Sequence, residues 1–139
     1  MLQIRDLVFD AWGRRFTYGL DTQFGRDPGQ GGITCTPNAP VAAGFALCST
    51  TRIDVKGAAG GANVVSGGVP GFVVSHGKNG YGAYTREGAR IALAAAGADE
   101  QENADDDTAF VSNADIDDQS TWIPIHILMY RMVSAGRLP

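Results

Sequence analysis

The sequence predicts an α+β domain built from a small antiparallel sheet and short helices. Several short segments alternate apolar and polar residues, as half-buried strands do. Glycine supplies 19 of the 139 residues, about twice its ordinary share, which favours short elements joined by tight turns. Near the C-terminus, apolar residues recur instead at helical spacing. Together these patterns favour several short strands and one or two small helices.

Four segments have strand character: 15–20, 52–56, 69–75 and 108–112. In the second, Ile53 and Val55 are expected to face inward, because alternate residues of a strand share one face. The third, Val69–Ser75, is the most apolar of the four. It is followed by Gly77-Lys78-Asn79-Gly80, whose glycines and asparagine suit a tight turn.

Two segments are predicted to be helical. Glu87–Ala96 is rich in alanine and is followed by Gly97, a residue that often ends a helix. A second helix of about ten residues is expected after Pro124, with Gly136 closing its C-terminus. Its apolar residues fall on one helical stripe: Ile125, Leu128, Met129, Met132 and Val133.

Length and charge set limits on the class of protein. A chain of 139 residues suits one domain, and we expect residues 1–139 to form it. Nowhere does an apolar run reach the 18 residues that a membrane-spanning helix needs, and the first residues do not resemble a signal peptide. The net charge is −4, and from Asp99 to Asp118 there are nine carboxylates with no Lys or Arg. Nucleic acid is therefore not expected as a partner, because its recognition needs a basic surface.

The two cysteines leave two possibilities open. Cys35 and Cys48 lie 13 residues apart in a segment rich in Gly and Pro, a suitable loop for a disulfide. This spacing matches neither a redox pair nor a zinc site. We predict a disulfide, and the alternative is a pair of buried free thiols.

No arrangement typical of an enzyme is present, and we predict that the protein is not one. Ser75 and His76 are adjacent, but neighbouring residues of a strand point to opposite faces and cannot form a catalytic pair there. His126 lies at the start of the C-terminal helix and is read as an ordinary boundary residue. The run Gly77–Gly82 lacks the order of a phosphate-binding loop and is read as a structural turn.

The polar stretch 113–120 is a candidate metal site. Asp115, Asp117 and Asp118 offer the hard oxygen ligands that calcium takes in flexible loops. The alternative is a solvated acidic loop, since the sequence lacks the pattern of an EF-hand. Asp105–Asp107 is interpreted as solvated.

Three stretches, in this order, resemble type IV pilin-like proteins, in particular the pseudopilins of type II secretion and related minor pilins. The first is Asp10–Tyr18, similar to the D-x-W-G-x-x-[FY]-x-Y segment that follows the long N-terminal helix in that family. The second is the strand and turn 73–83, and the third is Asp117-Asp118 followed by Trp122. Residues 98–103 and 135–139 are also similar to one minor-pilin subgroup.

The resemblance implies a structural subunit of a type IV pilus or type II secretion pseudopilus. Its globular domain would pack on an N-terminal apolar helix that this sequence lacks, with Trp12 and Phe16 as anchors for the first strand. The expected partners are other pilin subunits and the inner membrane, through that helix, at a periplasmic or cell-surface location. The resemblance also favours calcium near Asp117 and Asp118. The alternative function is a secreted ligand-binding module or adhesin that uses Tyr81 and Tyr84, and a small envelope hydrolase is a more distant one.

Overall fold

The computed structural model describes residues 8–24, 51 and 53–137. Within these ranges the chain forms small mixed sheets with two short helices, which confirms the broad α+β class. The elements in chain order are β1 (Thr17–Leu20), β2 (Asp54–Lys56), β3 (Gly71–Ser75), α1 (Ala98–Glu102), β4 (Ala109–Val111), β5 (Gln119–Ile123) and α2 (Ile125–Ser134).

The three-stranded sheet is antiparallel, with β3 in the centre between β1 and β5. Tyr18 lies opposite Val73, which in turn lies opposite Thr121. Two residues further along each strand, Leu20, Gly71 and Ile123 form the next row across the same face. The side chains of these two rows project away from the core, because successive strand residues alternate between faces.

A second sheet pairs β2 with β4, and these two strands are parallel. The expectation that the strands would all be antiparallel is therefore wrong for this pair. Parallel pairing needs a long crossover connection, and here β3 and α1 both lie between the paired strands along the chain. Ile53 and Val55 are 2% and 0% exposed, as their inward positions predict.

The hydrophobic core lies between the two sheets. The ring of Phe72 stacks on Phe110 at a centroid distance of 4.5 Å and on Trp122 at 5.9 Å. Stacked aromatic pairs contribute about 1 kcal/mol beyond the area that they bury. The buried members of the core cluster are Ile53, Val55, Val69, Phe72, Val74 and Phe110.

The alanine-rich segment 87–96 is not helical, contrary to prediction. Gly88 has a φ of +89°, and Tyr84 and Arg90 form an antiparallel bridge that turns the chain back on itself. Arg90 also donates from its guanidinium to the carbonyl oxygens of Gly82 and Ala104. These tertiary contacts override the helix propensity of alanine, which is a weak preference.

Helix α2 has the ten residues predicted for it, and Gly136 follows with a φ of +65°. Pro124 occupies the N-cap position. The segment before it, which includes Trp122, is strand β5. None of the helix residues is buried, so its apolar stripe does not enter the core. Neither α1 nor α2 is long and apolar enough to cross a membrane, and no other α-helix occurs in the part of the chain that the structure describes.

Candidate functional site

The turn after β3 brings distant parts of the chain together. Gly77 and Gly80 have φ values of +56° and +68°, which glycine adopts without strain. The guanidinium of Arg14 donates hydrogen bonds to the carbonyl oxygens of Gly77 and Lys78, the latter at 2.7 Å. A side chain at position 77 would collide with the backbone of Asp117, so the missing Cβ allows the turn to reach that residue.

Three carboxylates meet beside this turn: Glu100, Asp117 and Asp118. One oxygen from each lies within 4.8 Å of the other two. The backbone N–H of Asn79 donates to Asp117 Oδ2 at 2.8 Å, and the Asn79 side-chain amide donates to Glu100 Oε1. The other oxygen of Glu100 caps α1 by accepting from the N–H of Gly97 at 2.9 Å. We call these three residues the carboxylate cluster.

Asp118 is the most deeply placed aspartate of the carboxylate cluster, at 8% exposure. Its Oδ2 accepts a hydrogen bond from Asn103 Nδ2 at 3.0 Å. Asn103 is itself fixed on β4 by bonds to both the N–H and the carbonyl oxygen of Val111. Oδ1 of Asp118 and Oδ1 of Asp117 are buried without a hydrogen-bond partner. Buried polar atoms are rarely left in that condition, so these two oxygens are suited to a further ligand.

Burial is the main reason that the pKa of Asp118 rises from its ordinary value of 3.8 to about 6. The negative charges of Glu100 and Asp117 raise it further, and the hydrogen bond from Asn103 opposes the rise. A cation among the three carboxylates would offset both the burial and the mutual repulsion.

His76 lies behind Asp118 and is fully buried. Its Nε2 is 2.8 Å from Thr17 Oγ1, and its Nδ1 is 3.8 Å from Asp118 Oδ2 without a hydrogen bond. Burial lowers the pKa of His76, and the positive charge of Arg90 lowers it further. The imidazole is therefore neutral at pH 7, and its proximity to Asp118 is not an ion pair.

Hard cations such as calcium prefer oxygen ligands, and six to eight of them in flexible loops. The carboxylate cluster offers three carboxyl groups from α1 and from the loop before β5, two of them with unpartnered buried oxygens. The donor set therefore fits a calcium-like ion.

The predicted ligands are only partly brought together. Asp117 and Asp118 belong to the cluster, whereas Asp115 is exposed and does not; its N–H turns back to Asn113 Oδ1 at 2.9 Å. The third carboxyl comes from Glu100, which was not among the ligands predicted from the sequence. The available signal was the acidic first turn of α1, but its distance along the chain from Asp117 conceals the contact.

The serine, histidine and cysteine residues considered for catalysis or a disulfide do not form a site within the described residues. Ser75 donates to Asp10 Oδ2 at 2.8 Å while His76 contacts Thr17, so the two have different partners, as expected of strand neighbours. His126 is exposed at the start of α2. The cysteines Cys35 and Cys48 lie outside the described residues, so their disulfide stays a prediction.

The outer face of the three-stranded sheet is the second notable feature. Leu20 is 63% exposed and Ile123 is 50% exposed, and they flank Gly71 at the centre of their row. Since Gly71 has no side chain, a groove of about 320 Å³ opens there, lined also by Val73 and Trp122. Among the described residues, no other segment of the chain covers this apolar groove.

Comparison of the chain with protein-family models, with curated proteins and with solved structures found no match. The resemblance of its short motifs to pilin-like proteins therefore stays an expectation. The carboxylate cluster and the apolar sheet face are the two features of the described residues that bear on function.

Proposed function

We propose that this chain is the globular domain of a pilin-like structural subunit, whose sheet packs on an apolar helix and which assembles with other such subunits. The observation that carries the proposal is the uncovered apolar face formed by Leu20, Val73 and Ile123. A strand facing water on one side normally carries polar residues there. Contiguous apolar surface on a small domain marks an interaction site.

The dimensions of the face favour a single helix as its occupant. Neighbouring strands lie about 4.8 Å apart, so β1 and β5 are separated by about 10 Å across β3. An α-helix with its side chains has a diameter of about 10–12 Å. One helix would therefore cover the sheet, with its side chains entering the groove above Gly71 between Leu20 and Ile123.

In the proposed subunit this helix precedes the domain and anchors it in the inner membrane, with the domain on the periplasmic or cell-surface side. The proposed role is assembly into a type IV pilus or a type II secretion pseudopilus. We also propose that calcium binds the carboxylate cluster. The ion would join the first turn of α1 to the loop before β5, and so hold the C-terminal strand against the turn that follows β3.

The proposal can be tested on the coding sequence and on the protein. The coding sequence before residue 1 should specify a leader and an apolar helix of about 25 residues. Hydroxyl-radical footprinting of the protein with and without that helix then measures side-chain accessibility. Leu20 and Ile123 should lose most of their reactivity when the helix is present, because it covers them.

Val64 provides the control for this footprinting, since it is 57% exposed on a loop outside the sheet face. Its reactivity should be the same with and without the helix. A coding sequence without an apolar helix, or unchanged labelling of Leu20 and Ile123 in its presence, would overturn the proposed function.

A further inference from the structure

Helix α2 presents an apolar surface that nothing in the described part of the chain covers. Ile127, Tyr130 and Val133 are 45%, 71% and 43% exposed, and they lie on the same side of the helix. The opposite side, with Leu128 and Met132, is half-buried. Apolar side chains grouped on an exposed face indicate a contact surface. Ten residues alone are also too few for a stable isolated helix in water, so contacts on both sides would stabilise it.

The charge of this region differs from that of the rest of the chain. Residues 119–139 contain Arg131 and Arg137 and no Asp or Glu, although the whole chain has a net charge of −4. Both arginines are exposed at the C-terminal end of α2. A surface that complements α2 should therefore combine small or apolar side chains with negative charge.

The chain itself carries such a surface. Asp105–Asp107 are exposed, and Asp106 lies 3.8 Å from the guanidinium of Arg90. Arg90 also bonds the carbonyl oxygen of Ala104, which ties the acidic run to the neighbouring segment. That segment exposes Ala92 and Ala94, whose small side chains allow close approach of a helix. We call this combination the acidic surface.

We propose that the exposed face of α2 binds the acidic surface of a second copy of this chain. Tyr130 would lie against the alanines, and Arg131 would face the aspartates. The two contact surfaces are different, so the association is head-to-tail and can continue from copy to copy. This inference rests on the proposed function, in which neighbouring subunits of a filament meet through their globular domains.

A second copy is favoured over an anionic lipid surface. Interfacial helices carry several Lys or Arg residues on their polar face, whereas α2 contains one, Arg131. The net charge of −4 would also oppose the approach of the domain to anionic lipid. A second copy instead supplies negative charge and small apolar side chains at the same place.

The test is sedimentation equilibrium of the chain at concentrations up to about 1 mM, the range in which weak contacts are measurable. We expect reversible self-association that weakens as NaCl rises from about 20 mM to about 500 mM, because salt screens the charged pairs. Tyr130→Ser and Arg131→Glu should each weaken it by about tenfold, as loss of a central aromatic or arginine contact does.

Two matched variants serve as controls. Val64→Ser removes a similarly exposed apolar side chain, and Arg15→Glu makes the same charge change at an exposed position that belongs neither to α2 nor to the acidic surface. Both should leave the association constant within about twofold, since changes away from an interface have small effects. Circular dichroism establishes that α2 remains folded in Tyr130→Ser and Arg131→Glu.

A chain that stays monomeric throughout, or one whose association is equal in Tyr130→Ser, Arg131→Glu and the controls, would overturn the inference. Sedimentation with vesicles containing anionic lipid, reduced by Arg131→Glu, would instead assign α2 to a membrane surface. None of these results bears on the covering of the sheet face by a helix, because that part of the proposed function is tested by footprinting and by the coding sequence before residue 1.

Discussion

Replacement of Asp118 by asparagine should stabilise the metal-free protein at neutral pH. In the folded protein the pKa of the Asp118 carboxyl is about 6, against an ordinary value of 3.8. Each unit of pKa difference between the folded and unfolded states corresponds to about 1.4 kcal/mol. Ionised Asp118 therefore lowers the free energy of unfolding by on the order of 3 kcal/mol at pH 7.

The direction in which the free energy of unfolding changes with pH follows from the proton that Asp118 retains in the folded state. Well below pH 4 Asp118 is protonated in both states and does not affect the free energy of unfolding. Between about pH 4 and pH 6 the unfolded chain releases the proton while the folded chain keeps it, so stability falls as the pH rises. Above about pH 6 the full cost is present. An asparagine at this position never ionises and avoids it.

Asparagine also suits the local geometry. Its side-chain oxygen can accept the hydrogen bond that Asn103 now donates to Asp118 at 3.0 Å. Its amide group can donate to the carboxylates of Glu100 and Asp117, whose oxygens lie within 4.8 Å. The substitution therefore replaces mutual repulsion by hydrogen bonds with little change in volume.

His76 changes the stability with pH in the opposite direction to Asp118, so the two contributions must be separated. The pKa of His76 is lowered by burial, so the folded protein holds it neutral while the unfolded chain takes up a proton below about pH 6.5. Stability from this source is lost as the pH falls through that value. Since His76 is present in both proteins, the difference between the Asp118→Asn variant and the wild type isolates Asp118.

The assay is urea denaturation at pH 4 to 8 in the presence of a calcium chelator, with unfolding monitored by tryptophan fluorescence. The variant should exceed the wild type by on the order of 2–3 kcal/mol at pH 7, and the two should converge at pH 4. A variant less stable than the wild type at pH 7, or a difference that does not change with pH, would refute the reasoning. Calcium should reverse the order at neutral pH, because it stabilises only the carboxylate form.

Two further pairs of substitutions, each a variant with its control, test the ligand assignment and the packing of the sheet. Calcium should raise the thermal midpoint of the wild type, and Glu100→Gln should abolish most of that rise while Asp115→Asn, which changes a carboxyl outside the cluster, leaves it intact. Equal losses in both variants would contradict the ligand assignment. Gly19→Ala should destabilise by about 1–3 kcal/mol in urea, because its Cβ would lie 2.8 Å from the ring of Phe110. Gly71→Ala, on the open face of the same sheet, should cost less, and equal costs would argue against that close packing.

Features that depend on local pattern were predictable from the sequence. Ile53 and Val55 alternate with polar residues and are buried as expected. The ten-residue span of α2 follows from its apolar spacing and from Pro124 and Gly136 at its ends. Each of these signals lies within a few residues along the chain, which is why a single sequence reveals them.

Features that depend on distant contacts were not predictable. The alanines of 87–96 favour a helix, but the hydrogen bonds of Arg90 to two carbonyl oxygens fix a bent chain instead. Glu100 joins Asp117 and Asp118 only because the turn after β3 brings α1 near the loop before β5. No local sequence pattern specifies such contacts between distant residues. Two residues of the carboxylate cluster, Asp117 and Asp118, were therefore predictable from the sequence, and the third, Glu100, was not.

The distribution of apolar residues connects these results with the proposed assembly. Hydrophobic residues make up 44% of the chain, an ordinary share. Yet several of the larger ones in the described ranges lie on two surfaces, the outer face of the sheet (Leu20, Ile123) and the exposed side of α2 (Ile127, Tyr130, Val133). Single exposed apolar residues are normal on any protein, whereas contiguous groups indicate contacts made elsewhere. The sheet face is uncharged and matches one helix in width, while Arg131 near the end of α2 and Arg137 just beyond it make that end of the helix positively charged. Because their chemistry differs, the two surfaces suit different occupants, which supports the proposed subunit with one helix on the sheet and a second copy on α2.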